Sequence, residues 1–292
     1  MSASLTLTTE THPRSRSATR LDERSLALRR TIVRIMAAGK RGHFGSACSL
    51  VEILRVLYDE ILRYDPKQPH WPLRDRCILS KGHGCLALYA ILADKGFFPV
   101  EELEKFCHAD GILGGHPEQG KVPGVEASTG SLGHGLAIGI GFALAAEHDH
   151  REHRVFVVMS DGECNEGSVW EAALYASKHR LSRLTVLIDY NQQQSYGSTF
   201  EVCDLEPLVD KWAAFGFAVE AVDGHSLSAL RSVLTRVPLQ PFKPSAIICH
   251  TVKGKGVPYA ESNPEWHHKN KISDDEVRQL LAALASPLGA SG

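Results

Sequence analysis

Two short runs, residues 155–159 and 184–188, apolar throughout except for Thr185, restrict this chain's fold more than any other feature; polar residues close them at Ser160 and Asp189. A strand with one wet face alternates apolar and polar side chains, so a run with no polar side suits a strand covered on both faces. Further strand patterns fall at 76–79, 218–222 and 245–250, and helical spacing falls between them at 168–179, 205–215 and 226–236. Upstream, 22–39 carries Leu26, Leu28, Ile32, Val33, Ile35 and Met36 at helical spacing. The stretch 49–62 does the same with Leu50, Ile53, Leu54, Leu57 and Ile61, and a third helix runs to Leu92. Strands and helices alternating in this way predict an α/β fold, a parallel sheet with helices on both faces. No repeat or low-complexity linker divides the 292 residues. The reading is one domain over 21–285, with a flexible polar tail at 1–20 and a short one at 286–292.

Charge narrows the function. There are 32 basic and 34 acidic residues, a formal charge of -2, which lacks the basic footprint of a chain that grips nucleic acid through phosphates. No stretch reaches the roughly 20 apolar residues that span a bilayer. The seven cysteines are scattered with no C-x-x-C pair, the usage of free thiols in a reducing compartment. The Ser/Thr/Arg-rich opening reads as a frayed tail, with a transit peptide as the alternative, and a cytoplasmic protein is expected.

In open parallel sheets, ligands bind beyond the carboxyl ends of the strands. Two such ends carry metal-competent oxygens here: Ser160-Asp161-Gly162-Glu163 after one apolar run and Asp189-Tyr190-Asn191 after the next. Asp161 and Asn191 are about thirty residues apart, one strand–helix–strand unit, so they reach the same sheet edge. A carboxylate and an amide seat Mg²⁺ or Ca²⁺ only when phosphate oxygens add ligands. On spacing alone the alternative stays open that Asp161 caps a helix and Asn191 makes a turn.

The detail of Ser160-Asp161-Gly162-Glu163 with Glu166-Gly167, followed by Asp189-Tyr190-Asn191, resembles the signature of thiamine-diphosphate enzymes. Trp170-Glu171-Ala172 resembles the transketolase branch. Gly42-His43, Ser80-Lys81-Gly82-His83, Gly115-His116-Pro117-Glu118 and Thr129-Gly130-Ser131-Leu132-Gly133 follow in that family's order. Thr251-Val252-Lys253-Gly254-Lys255-Gly256 and Trp266-His267 complete it. The resemblance covers about 22–271 and implies the thiamine-diphosphate-binding (PP-type) fold. It implies that Asp161, Asn191 and the backbone carbonyl of Gln193 hold Mg²⁺ or Ca²⁺. Gly162, Glu163, His83, Asn191 and His267 would lie at the cofactor, and Gly130, Ser131 and Leu132 beside its aminopyrimidine. His43, His116 and His267 are similar to the family's catalytic substrate-channel histidines. Plainer readings stand beside these: His83 as a helix cap, His116-Pro117 as a rigid turn, and His267-His268 as a solvated loop. Lys253 and Lys255, among glycines, read either as a mobile lid or as phosphate neighbours. The cluster His148, His150 and His153 reads as a solvated turn.

Full-length transketolases carry a pyrimidine-binding domain after this one. The expectation is therefore an N-terminal subunit of a split transketolase, inactive alone and completed by a separate C-terminal subunit in a heterotetramer with two copies of each. It would transfer a two-carbon ketol unit from a ketose to an aldehyde. Four departures point to an unusual substrate: His43-Phe44-Gly45 in place of His-Pro-Gly, Ser160 in place of glycine, His268 where a glycine usually follows, and an unusually polar Gln192-Gln193-Gln194. One rival reading is an α-type subunit of an acyloin-forming or 2-oxo-acid-decarboxylating enzyme with the same cofactor. A nicotinamide-binding enzyme would need G-x-G-x-x-G, and the glycines at 133, 135 and 139 have the wrong spacing.

Overall fold

The computed structural model describes residues 19–285, so the expected tails lie outside the described residues apart from Thr19 and Arg20. Five strands form one sheet: β1 Arg76–Leu79, β2 Val155–Ser160, β3 Leu184–Tyr190, β4 Ala218–Asp223 and β5 Ser245–His250. They run parallel throughout in the order β1-β2-β3-β5-β4. Among the described residues ten α-helices surround it: α1 Glu23–Gly39, α2 Phe44–Cys48, α3 Val51–Val56, α4 Cys85–Asp94, α5 Gly135–His148, α6 Gly167–Lys178, α7 Thr199–Cys203, α8 Leu208–Ala214, α9 Leu227–Leu234 and α10 Asp274–Ala285.

Every residue of β2 and β3 is buried, as their largely apolar sequences suit. Phe156 and Val158 join the core under α1–α4, α9 and α10, while Val155, Val157 and Met159 join the core under α5, α6 and α8. Alternate residues thus serve opposite layers. Each buried aliphatic side chain contributes about 2 kcal/mol over leaving it in water, so a one-residue slip of β2 would unseat both layers at once.

The elements differ from the sequence expectation where polar side chains intervene. The helix expected at 49–62 is broken, because the Ser49 hydroxyl reaches the Ser46 carbonyl (3.1 Å) and the Asp189 carboxylate (2.6 Å). Such side-chain bonds compete with helical ones. It then closes in a π-helical turn, Leu57–Ile61. β3 continues two residues past its apolar run because Asp189 finds Lys81, Ser49 and Thr251 as partners. The helix expected at 205–215 is shorter, and α7 and α10 were not foreseen. No helix of the described residues is long and apolar enough to cross a membrane.

Candidate functional site

The carboxyl ends of β1, β2, β3 and β5 converge, and the segments 80–83, 161–162, 191–195 and 251–253 that leave them meet around a cleft of about 200 Å³. Asp161 locks two of these ends together. Its Oδ1 accepts the Gly162 N–H at 2.7 Å and its Oδ2 accepts the Gln192 N–H at 2.5 Å, across the gap from β2 to β3. Asp161 thus caps the short 3-10 turn Gly162–Asn165, and it sits beside the Asn191 segment. Asn191 Oδ1 accepts the Gln193 N–H (3.1 Å), and the Gln193 carbonyl accepts a bond from Lys253 Nζ (3.1 Å).

Four buried charges lie under this edge. Burial, and then the nearby Asp189 carboxylate, push Asp161 up to about 6. Burial also opposes ionisation of Asp189, but the ion pair with Lys81 and bonds from Ser49 and Thr251 hold it below the usual carboxylate range. Lys253 is pushed down to about 8 by burial and by Lys81. It is 3% exposed, which overturns the reading of its segment as a mobile lid. The carbonyl of Lys255 is anchored likewise, accepting Arg29 Nε at 2.8 Å.

The second half of the site is a group of imidazoles. The His43 ring lies 5.5 Å from His83, 6.1 Å from His116, 5.6 Å from His267 and 4.3 Å from His268, on which it stacks. His83 and His267 are 5.7 Å apart. Burial, reinforced by neighbouring positive charge, pushes His43 and His267 down to about 3 and His83 well below its ordinary value. His116 and His268 are lowered as well, by burial first. All five are neutral near pH 7. His267 is half-buried, and its Nε2 bonds Ser195 Oγ at 3.0 Å. Gly82 makes the packing of His83 feasible: a Cβ there would stand 2.7 Å from the Thr129 backbone.

The cleft wall includes His43, His83, Gly130, Leu132, Gly162 and His267, together with Asn191 and Gln193. Asp161 is wholly buried just behind it. Three other expected residues are placed differently. Ser131 is exposed outside the wall. His116 lines a neighbouring hollow, against Gly130. Glu163 is fully buried beneath, its carboxylate accepting from the Ser80 hydroxyl, the Gly133 N–H (2.9 Å) and the Ser160 N–H (3.3 Å). It braces three loops and does not reach the cleft. His148 and His150 are exposed, but His153 is buried, a correction to the solvated turn.

The structure adds residues that the sequence had not assigned: Ser46, Lys81, Gln194 and Ser195 also line the cleft. Ser46 follows His43 by three residues, a spacing that puts both on one face of a helix start, and this was the available signal. Three buried polar atoms around the cleft have no hydrogen-bond partner: Ser46 Oγ, Gln193 Oε1 and His267 Nδ1. Unsatisfied atoms of this kind are rare in folded proteins, and three around one cleft mark a place built for a polar ligand.

The sequence profile of the transketolase thiamine diphosphate binding domain matches residues 23–287. The chain belongs to the transketolase family. Among its transketolase relatives, it is 40% identical over 275 residues to an apulose-4-phosphate transketolase subunit from Actinobacillus succinogenes, covering 94% of this chain and 99% of the relative. It is 40% identical over 243 residues to a 6-deoxy-6-sulfo-D-fructose transketolase subunit from a Clostridium species, covering 83% and 88%. The transketolase of Homo sapiens is 34% identical over 263 residues, but these make up 42% of its length. Transketolase from Leishmania mexicana superposes with a TM-score of 0.84 at 30% identity, over 89% of this chain and 40% of the other. The transketolase fold expected from the sequence is thus the fold observed.

Proposed function

We propose that this chain is the thiamine-diphosphate-binding subunit of a two-subunit transketolase, moving a two-carbon ketol unit from a ketose to an aldehyde together with a C-terminal partner subunit. One observation carries the reading: four parallel strand ends bring a buried carboxylate, amide and carbonyl oxygens, two ammonium groups and a set of imidazoles to one polar cleft. The relatives support the division of labour. The two bacterial relatives above, matched over 88% and 99% of their length, are named as subunits, whereas the human transketolase is matched over 42% of its own.

The donor set fits the cofactor's diphosphate end. Among the described residues no group of three or more His, Cys, Asp or Glu is arranged to hold a metal. Asp161, Asn191 and the Gln193 carbonyl would hold Mg²⁺ or Ca²⁺ only with phosphate oxygens completing the shell, so metal and diphosphate would bind together. A cation beside Asp161 would also favour ionisation of a carboxyl that burial disfavours. Lys253, His83 and the Gly162 backbone line the same cleft and would meet the diphosphate.

When bound, thiamine diphosphate supplies the nucleophilic carbon and the electron sink that carbon–carbon cleavage beside a ketone requires. The chain's residues supply the rest. Imidazoles held neutral are weak bases in the empty cleft, and their first task is to accept and donate hydrogen bonds to sugar hydroxyls. His43 and His267 gain proton affinity only when a bound anion faces them, so proton transfer would be coupled to substrate occupancy. Ser195 fixes which ring nitrogen of His267 is committed, leaving Nδ1 for the ligand.

Calorimetric titration of the chain with thiamine diphosphate in Mg²⁺ tests the site. Asp161→Ala is expected to weaken binding at least about thirtyfold, the loss of a buried charge partner; unchanged affinity would refute it. With the C-terminal subunit added, a panel of ketose donors should support ketol transfer. Pyruvate-dependent CO₂ release in its place would favour the decarboxylating alternative.

A further inference from the structure

At the opposite end of β1 from the cofactor cleft, the segment 69–76 and the loop 119–126 enclose a hollow of about 310 Å³. Its volume is on the order of ten water molecules, room for a short carbon skeleton with an acidic head. Arg74, just before β1, and Arg76, its first residue, stand in the wall, only 8% and 9% exposed. Each guanidinium is steadied by its own segment: Arg74 Nη1 donates to the Trp71 carbonyl (3.0 Å) and Arg76 Nη2 to the Pro72 carbonyl (3.1 Å). Among the described residues of the lining Glu126 is the one acid, and both guanidiniums share it. Its Oε2 accepts from Arg74 Nη2 at 2.7 Å and from Arg76 Nη1 at 3.4 Å. Burial pushes Glu126 up to about 7, so near neutral pH even this compensation is incomplete. Arg76 Nε has no partner, and neither has Nδ1 of the buried His153, at which the Arg76 charge is felt. Two buried cations with one weakened counter-charge leave the wall with an excess of positive charge, and burial makes such an excess costly. Rigid forks of N–H donors are the groups that oxyanions bind best.

We propose that this hollow is a second ligand site, for a small organic anion carrying a carboxylate or phosphate, with Arg74 and Arg76 as its charged ligands. Glu126 holds the two forks side by side, and Val122 and Phe142 offer the carbon skeleton an apolar face. The covering loop is fixed in advance. Its neck is closed by the Thr129 N–H on the Pro117 carbonyl (3.2 Å) and the Gln119 N–H on Ser128 Oγ (2.9 Å). Gly120 and Gly124, at φ 84° and 87°, take the turns that side chains would resist. The site stands apart from the cofactor reading: the cleft lies past the carboxyl ends of the strands, and no residue lines both cavities.

The test titrates the full chain with inorganic phosphate and with succinate, each against sodium chloride at matched ionic strength. The readout is the imidazole NMR resonances of His70, which lines the hollow, and of His153, so anions bound elsewhere on the molecule are not counted. At least one probe is expected to shift both resonances saturably. Arg74→Ala should weaken that response about tenfold, the usual scale for losing a charge-assisted partner, and Arg74→Lys should restore part of it. Should Arg74→Ala fail to fold, Phe142→Trp intrudes on the hollow while keeping both guanidiniums, and it should weaken the response likewise. Tighter binding of phosphate assigns the site to phosphorylated ligands, tighter binding of succinate to carboxylates, and equal binding to oxyanions of either kind. No saturable shift with either probe, a shift that chloride reproduces, or equal affinity in wild type and variant overturns the proposal. Calorimetry of thiamine diphosphate on the same samples reports separately on the cofactor reading.

Discussion

Five imidazoles in one corner give this molecule a pH dependence that single residues control. His43 and His267 have folded-state values of about 3 against 6.5 for an ordinary histidine. Below pH 6.5 the unfolded chain therefore binds protons that the folded chain refuses, and stability falls as pH drops from about 6.5 towards 3. Asp161, raised to about 6 from 3.8, works in the opposite sense between those two values, but it is one group against several histidines. Allowing for their partial exposure, the melting temperature at pH 5 should lie about 5 °C below that at pH 7.5. The double variant His43→Gln/His267→Gln should flatten the slope, read by thermal unfolding across pH; an unaltered slope would contradict the assignment. At this scale the sequence was a good guide to identity and a poor guide to placement. Asn191 and His267 line the cleft and Asp161 lies buried behind it, while Glu163 turned inward because Ser80, Gly133 and Ser160 offered it hydrogen bonds no local pattern discloses.

The elements that carry the site are held by a buried network that no sequence pattern announces. Arg29 on α1 forks onto Glu52 on α3 (2.7 and 2.9 Å), and Glu52 also accepts from His225 Nδ1 (2.7 Å). His225 Nε2 in turn accepts the Val252 N–H at 2.9 Å, and Arg29 also bonds the Cys48 and Lys255 carbonyls. Burial opposes the Glu52 charge, yet Arg29 and His225 hold its carboxyl far below the usual range. The network ties α1, α2 and α3 to the 251–255 segment that presents Lys253. Glu52→Ala would strand a buried guanidinium, and the expected cost is about 3–5 kcal/mol in urea unfolding; a loss below about 1 kcal/mol would show the network to be dispensable. β2 and the first part of β3 were legible because burial on both faces writes itself as a largely apolar run. α10 was not, because its first turn is the acidic run Asp274-Asp275-Glu276 and its buried Leu280 and Leu284 pack against α1, far away in sequence.

At the scale of the whole molecule, the proposed partnership makes a stoichiometric prediction. Mixed with its C-terminal subunit and cofactor, the chain should form an assembly of two copies of each, read by native mass spectrometry. A stable one-to-one complex with full activity would count against shared active sites. The cleft lies at one edge of the sheet, where a facing subunit has access to Gly130, Leu132 and Gln194.

Read alone, the sequence settled the layered α/β plan, the two-strand oxygen motif and the family, because each is written in local periodicity or in short spacings along the chain. Tertiary structure decided which loops meet: the order β1-β2-β3-β5-β4 brings residues near 43, 81, 161, 193, 253 and 267 to one edge. It also decided that Lys253 is buried, that Glu163 is a brace, and that Arg74, Arg76 and Glu126 meet in the wall of one hollow. These depend on distances between segments far apart in sequence, which no one-dimensional pattern encodes.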